Sequence, residues 1–211
     1  MKRLVFILII ICVICYFQYN YINNINNSFE IIQYENPQKN IVENMLQDKL
    51  ITIFTNVKFD NWEITLQQYN LQKDIIDKKI SDNLYYYNIP LTIEANHQVL
   101  FESQFESNLI RKQDKYRHLF YILKGTKRFF IFTAEQDNYL YLENNVSPIN
   151  LWDQNTIKYP LIEKAKYIEL ICRENTLISI PYNYYYTTIC DEDTITIDFH
   201  SESIFSKFLK K

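Results

Sequence analysis

After Asp82 the chain breaks into short runs of aromatic and β-branched residues, and these constrain the fold more than any other feature. The runs are 84–93, 99–105, 118–123, 128–133, 139–143, 167–172, 176–180, 184–190 and 194–199. Their length and composition suit strands. In the last, Thr194-Ile195-Thr196-Ile197-Asp198-Phe199, alternation places Ile195, Ile197 and Phe199 on one face. Eighteen Tyr and 14 Phe supply enough large apolar surface to fill a core, which argues against disorder. Two helices lead in. One starts at Asn36-Pro37 and carries Ile41, Met45 and Leu46 to about Lys49. The other fits 60–80, with Ile64, Leu71, Ile75, Ile76 and Ile80 at roughly helical spacing. The expectation is a mainly β sandwich or barrel with N-terminal helices, in one domain over 36–211.

Residues 4–17 form an unbroken apolar run preceded by Lys2 and Arg3. As a helix it covers about 21 Å, and extension to Ile22 gives about 28 Å, close to a hydrocarbon core. A cleaved signal peptide would end in small residues, and the first small residue after the run is Ser28. An uncleaved transmembrane signal anchor over 1–22 is therefore favoured, followed by a polar stalk over 23–35. With no Lys or Arg between Arg3 and Lys39, the cation count places the amino terminus in the cytosol and the domain on the lumenal or external side. Asn26-Asn27-Ser28 and Asn145-Val146-Ser147 then become candidate glycosylation sequons. Cys12 and Cys15 lie within the anchor. Cys172 and Cys190 form a disulfide only if the fold brings their Cα atoms within about 7 Å.

With 22 Lys+Arg against 25 Asp+Glu, the net charge of -3 provides no basic face, so nucleic acid is not an expected partner. The single glycine excludes a P-loop, a dinucleotide fingerprint and a Gly-x-Ser-x-Gly elbow. That glycine, Gly125, is expected to supply a positive φ in a hairpin turn.

Around it the sequence reads Leu119-Phe120-Tyr121-Ile122-Leu123-Lys124-Gly125-Thr126-Lys127-Arg128-Phe129-Phe130-Ile131-Phe132. Downstream follow Ser147-Pro148-Ile149-Asn150, then Tyr159-Pro160-Leu161-Ile162-Glu163-Lys164-Ala165, then Ile178-Ser179-Ile180-Pro181-Tyr182-Asn183-Tyr184-Tyr185-Tyr186, then Ile195-Thr196-Ile197-Asp198-Phe199. In order and spacing this series resembles the JmjC-type cupin-like domains of the iron(II)- and 2-oxoglutarate-dependent oxygenases, over about Met45 to Phe199. The resemblance implies a double-stranded β-helix (cupin or jelly-roll). It aligns the family's His-x-Asp pair with Lys112-Gln113-Asp114 and its distal histidine with Tyr186. Asp114 is then a vestigial metal position, and the two histidine positions hold Lys112 and Tyr186. Lys127 falls on the lysine that binds the 2-oxoglutarate carboxylate.

Two of the three iron ligands are thus replaced, and the expectation is a pseudoenzyme with no cofactor, acting as a binding or scaffolding module for a protein partner. Lys112 and Asp114, two apart on a strand, would form an ion pair. For Lys127 an anion site and an ordinary solvated hairpin lysine are the competing readings. Alternatives are a protein hydroxylase with a rearranged site drawn from Asp114, His118, Asp198 and His200, and a metal-free ligand-binding cupin with an open pocket at Lys127. His97 falls in an expected loop without a role. The tyrosine clusters at 85–87 and 182–186 read as strand and core, with exposed recognition patches as the competing reading.

Overall fold

The computed structural model describes residues 2–23, 28–38, 42, 45–46, 49–57, 64–84, 92–152 and 158–203. Its elements are helix α1 (Lys2–Asn23), strands β1 (Ile31–Glu35) and β2 (Ile51–Thr55), helix α2 (Leu66–Leu84), and strands β3 (Thr92–Glu102), β4 (Arg111–Lys112), β5 (Arg117–Lys124), β6 (Thr126–Phe132), β7 (Ile168–Arg173), β8 (Thr176–Ser179), β9 (Tyr185–Cys190) and β10 (Thr194–Ser203). Two short 3-10 helices, Ala134–Tyr139 and Pro160–Lys164, lie between β6 and β7. The chain is mainly β.

The strands form a six-stranded sheet, β1-β2-β8-β5-β10-β3, and a four-stranded sheet, β4-β9-β6-β7. Every pairing is antiparallel except β1 with β2. Period-two alternation sorts each strand between core layers. On β5, Phe120 and Ile122 face the other sheet and join Phe129, Ile131, Leu170, Ile178 and Tyr186. Leu119, Tyr121 and Leu123 face the opposite way and pack with Phe54, Ile80 of α2, Ile197 and Phe199. Beneath the four-stranded sheet, Phe130, Phe132, Tyr185 and Ile189 pack with Leu140, Ala165 and Trp152. The central strands β5, β8 and β9 are buried on both faces, which is why runs such as 118–123 read as apolar without alternation, whereas the edge strands β1 and β7 expose one face.

Most expected strands lie where their composition put them, and Ile195, Ile197 and Phe199 do share a face. Several expectations need correction. Residues 31–35, assigned to the stalk, form the edge strand β1. Residues 139–143 form no strand: Tyr139 closes a 3-10 helix, and the chain then enters a tight turn in which Glu143 and Val146 exchange both backbone hydrogen bonds across Asn144 (φ 51) and Asn145 (φ 68). His97 lies in β3, not a loop, and its Nε2 is 3.3 Å from Asp77 Oδ1 on α2. The helix after Pro37 falls largely outside the described residues, although Leu46 N donates to Val42 O as a helical turn requires. The tyrosines at 85–87 and the sequon at Asn26 lie outside them too.

Gly125 has the expected positive φ, 86. It is not in a hairpin, because β5 and β6 belong to different sheets and the chain crosses between them at this residue. A Cβ here would stand 2.7 Å from Asp193 O and 2.8 Å from Thr194 Oγ1, so only glycine fits both the dihedral and the space.

The described apolar side chains of α1, from Val5 to Tyr16, are almost all exposed. Among the described residues no helix is long and apolar enough to cross a membrane.

Candidate functional site

The polar groups between the sheets gather along β10. Its outward residues Ile197 and Phe199 are apolar, and the alternate residues Thr196, Asp198 and His200 present polar side chains on the other face. Each meets partners from neighbouring strands.

At Thr196 the partner is a buried ion pair. Lys127 Nζ, on β6, donates to both carboxylate oxygens of Glu102 at the end of β3, at 2.6 and 2.5 Å. Thr196 Oγ1 donates to the same carboxylate at 3.0 Å. The Lys127 and Glu102 side chains are 1% and 6% exposed. Lys127 is therefore neither a solvated hairpin lysine nor the floor of an open pocket. Its ammonium already holds a carboxylate, and that carboxylate belongs to the chain.

At Asp198 the partner is His118, which opens the inward face of β5. His118 Nε2 is 2.6 Å from Asp198 Oδ1 and Nδ1 is 3.1 Å from Gln113 Oε1. The orientation of the Gln113 amide follows from its other bonds: Nε2 donates to Lys115 O (3.0 Å) and Ile180 O (3.2 Å), and Oε1 accepts from Lys115 N (3.1 Å). An amide oxygen only accepts, so Nδ1 of His118 donates to it. Both ring nitrogens are engaged within the protein, and neither remains for a metal or a substrate proton. The ring also lies 4.3 Å from Phe120 and 5.7 Å, edge-on, from Tyr186, with His200 at 6.2 Å. Burial lowers the His200 imidazole below its ordinary value, outweighing the upward pull of Asp198.

The positions that the sequence resemblance marks as metal ligands fall at the rim of this cluster. Strand β4 ends at Lys112, and the next residue to point inward is Gln113, buried at 1% exposure. Asp114 is exposed beyond the strand end, within electrostatic reach of Tyr182 and Tyr186. The expected Lys112–Asp114 ion pair is not among those of the described residues. The backbone explains this, since the two residues do not share a regular strand. Tyr186 is buried beneath the Arg111 guanidinium, 5.9 Å from its ring centroid. Burial, aided by Asp198 and Asp114, pushes its phenol far above the ordinary range, and Arg111 only partly opposes this. A phenolate ligand to iron is correspondingly disfavoured.

Iron(II) with 2-oxoglutarate needs two imidazoles and a carboxylate on one face, open coordination positions and a cation for the cosubstrate. The residues here do not fit that group: an ammonium, an exposed carboxylate and a neutral phenol stand at the three positions, and the cation is bound to Glu102. Of the alternative set, His118, Asp198 and His200 do come together, but His118 is held at both nitrogens. No group of three or more His, Cys, Asp or Glu suited to a metal occurs among the described residues.

Cys172 and Cys190 both pair in register with Lys127, one on each side of β6. Their Cα atoms are thus two strand spacings apart, about 10 Å, too far for a disulfide. Both thiols are free, and burial pushes them up to about 12 and about 11. Tyr184 and Tyr186 face the inter-sheet core and Tyr185 the outer one, so these three are core, while Tyr182 is half-buried outside both clusters.

No protein-family model matches the chain, and no curated protein matches it in sequence.

Proposed function

We propose that this chain is a membrane-anchored, catalytically degenerate JmjC-type cupin-like domain, a double-stranded β-helix that works as a binding or scaffolding module for a protein partner without iron or 2-oxoglutarate. The observation that carries the non-catalytic reading is internal pairing. Lys127 is neutralised by Glu102, and both nitrogens of His118 are occupied by Asp198 and Gln113. Groups that would serve a substrate or cofactor serve the fold instead.

The strand order supports the β-helix reading. Counted from β3, the first, eighth, third and sixth strands lie side by side in one sheet, and the second, seventh, fourth and fifth in the other. This interleaving is what eight strands wound as a jelly roll produce. The anchor rests on the apolar run of α1 behind Lys2 and Arg3, with the domain lumenal or external by the cation count.

The test is a thermal melt of the full chain under anaerobic conditions, with and without manganese(II) plus 2-oxoglutarate. A ligand at about a hundred times its Kd adds about 2.7 kcal/mol, or roughly 5 to 10 °C for a domain of this size. The expected result is no shift. A metal-dependent shift of that size would overturn the non-catalytic reading and restore a hydroxylase with a rearranged site.

A further inference from the structure

Of the two sequons, only Asn145-Val146-Ser147 lies among the described residues. Its asparagine stands at the apex of a two-residue turn. Glu143 N donates to Val146 O at 2.8 Å and Val146 N to Glu143 O at 3.0 Å, and the central residues Asn144 and Asn145 both have positive φ, 51 and 68. Positive φ at both centres is the type I′ pattern, and asparagine enters it at less cost than most side chains. The turn is also held to the rest of the domain. Lys112 N donates to Asn145 O and Ser147 N donates to Ile110 O, each at 2.8 Å, which fixes the backbone beside β4.

The three side chains of the sequon differ in their surroundings. Asn145 is exposed, and its amide makes no hydrogen bond with any described residue. Glu143, Asn144, Val146 and Pro148 around it are exposed too, which leaves room for a bulky polar group. Ser147 is the opposite case. It is 0% exposed, and its Oγ accepts from Ile149 N at 3.1 Å. The folded turn thus presents the amide nitrogen to solvent and hides the hydroxyl two residues on.

We propose that Asn145 carries an N-linked oligosaccharide. The reaction is a glycosyl transfer from a lipid-linked oligosaccharyl diphosphate of the lumenal membrane face, catalysed by the transferase that serves such sequons. A bond forms between Asn145 Nδ2 and the anomeric carbon as the bond from that carbon to the diphosphate oxygen breaks. The diphosphate keeps the electron pair, and one amide proton passes to solvent. No oxidant or reductant takes part. Burial of Ser147 sets the order of events: the transferase must reach that hydroxyl, so transfer precedes the pairing of the turn with β4, and the glycan then remains at the exposed apex. The inference rests on the lumenal or external placement of the domain proposed above. It is independent of the binding role and of the β-helix assignment.

The experiment is cell-free translation of the full chain with rough microsomes, beside a form extended after Lys211 by a flexible segment that carries its own Asn-Ser-Thr sequon. Enzymatic release of N-glycans in heavy-oxygen water converts a modified asparagine to labelled aspartate, so peptide mapping reads the site in the unaltered chain. Labelled conversion at position 145 is expected. Asn145→Asp, which keeps the side-chain size and tolerates the left-handed backbone, should carry one glycan fewer per chain. Modification of the appended sequon without modification of Asn145 would refute the proposal and leave the lumenal placement standing, as would a glycan confined to Asn26. If no sequon is modified, the placement fails and the proposal fails with it.

Discussion

Replacing Lys127 by methionine should be among the most damaging single changes in the protein, and the reason lies in what it leaves behind. Methionine fills much of the same volume, so little packing is lost. The Glu102 carboxylate, 6% exposed, keeps only the Thr196 hydroxyl as a described partner once Lys127 Nζ is removed. Breaking a buried pair from one side typically costs about 3 to 5 kcal/mol, because an uncompensated charge remains. At about 2 to 4 °C per kcal/mol for a domain of 150–250 residues, Lys127→Met should lower Tm by roughly 6 to 20 °C. The double variant Lys127→Met/Glu102→Met removes both charges, and well-packed replacements of buried pairs are often neutral or stabilising. It should therefore recover most of the loss, with a residual of about 1 kcal/mol for the Thr196 hydroxyl. Thermal melts of the four members of this cycle give the coupling directly. A Lys127→Met variant within about 1 kcal/mol of wild type would mean that the pair is solvated, and the reasoning fails.

Other consequences are open to simpler tests. Gly125→Ala forces a Cβ against Asp193 O at 2.7 Å on a backbone of φ 86; the strain of a left-handed residue plus overpacking sums to about 2 to 5 kcal/mol, read as a loss of about 4 to 20 °C in Tm. A wild-type Tm would show that the crossing between sheets tolerates a side chain. The His200 imidazole is lowered in the folded state by burial, so the folded protein binds fewer protons there than the unfolded chain does. Its contribution is present above the unfolded value near 6.5 and is lost as pH falls below it. Urea melts between pH 7 and 5 should show stability falling with acidification, with a shallower slope in His200→Gln; equal slopes would refute the assignment. Cys172 and Cys190, pushed up to about 12 and about 11, should resist iodoacetamide at pH 7.5 in the native state and react in 6 M guanidinium; native labelling of either would contradict its burial.

The fold was legible in the sequence where composition acts locally. Runs such as 194–199 and 184–190 are strands for reasons contained within a few residues: β-branched and aromatic side chains that pack on a pleated surface. The positive φ of Gly125 was legible because one glycine has few other uses. What was not legible depends on which sheet a strand joins. Nothing near Gly125 says that β5 and β6 part there, and reading the turn as a hairpin also made Lys127 look solvated. β4 is only two residues long and is recruited by β9, so no period marks it. That shortness also upset the Lys112–Asp114 pairing, which assumed a regular strand through both.

The site was visible in its members more than in its connections. Lys127, His118, Asp198 and His200 stand out by residue type, and three of them do converge. Glu102 did not stand out. It lies inside the run 99–105 with nothing in its neighbours to mark it, and only the packing of β3 beside β10 turns it toward Lys127. Gln113 was hidden in the middle of a motif whose flanks drew the attention, although it is the residue that holds His118.

The central claim is that internal partners occupy the polar groups between the sheets, so that iron and 2-oxoglutarate have no place there. Manganese(II) is the direct probe, because its free ion has a paramagnetic resonance signal that disappears on binding. Titration of the full chain with manganese(II), with and without 2-oxoglutarate, should leave the free-ion signal undiminished. Stoichiometric loss of that signal, strengthened by 2-oxoglutarate, would contradict the account.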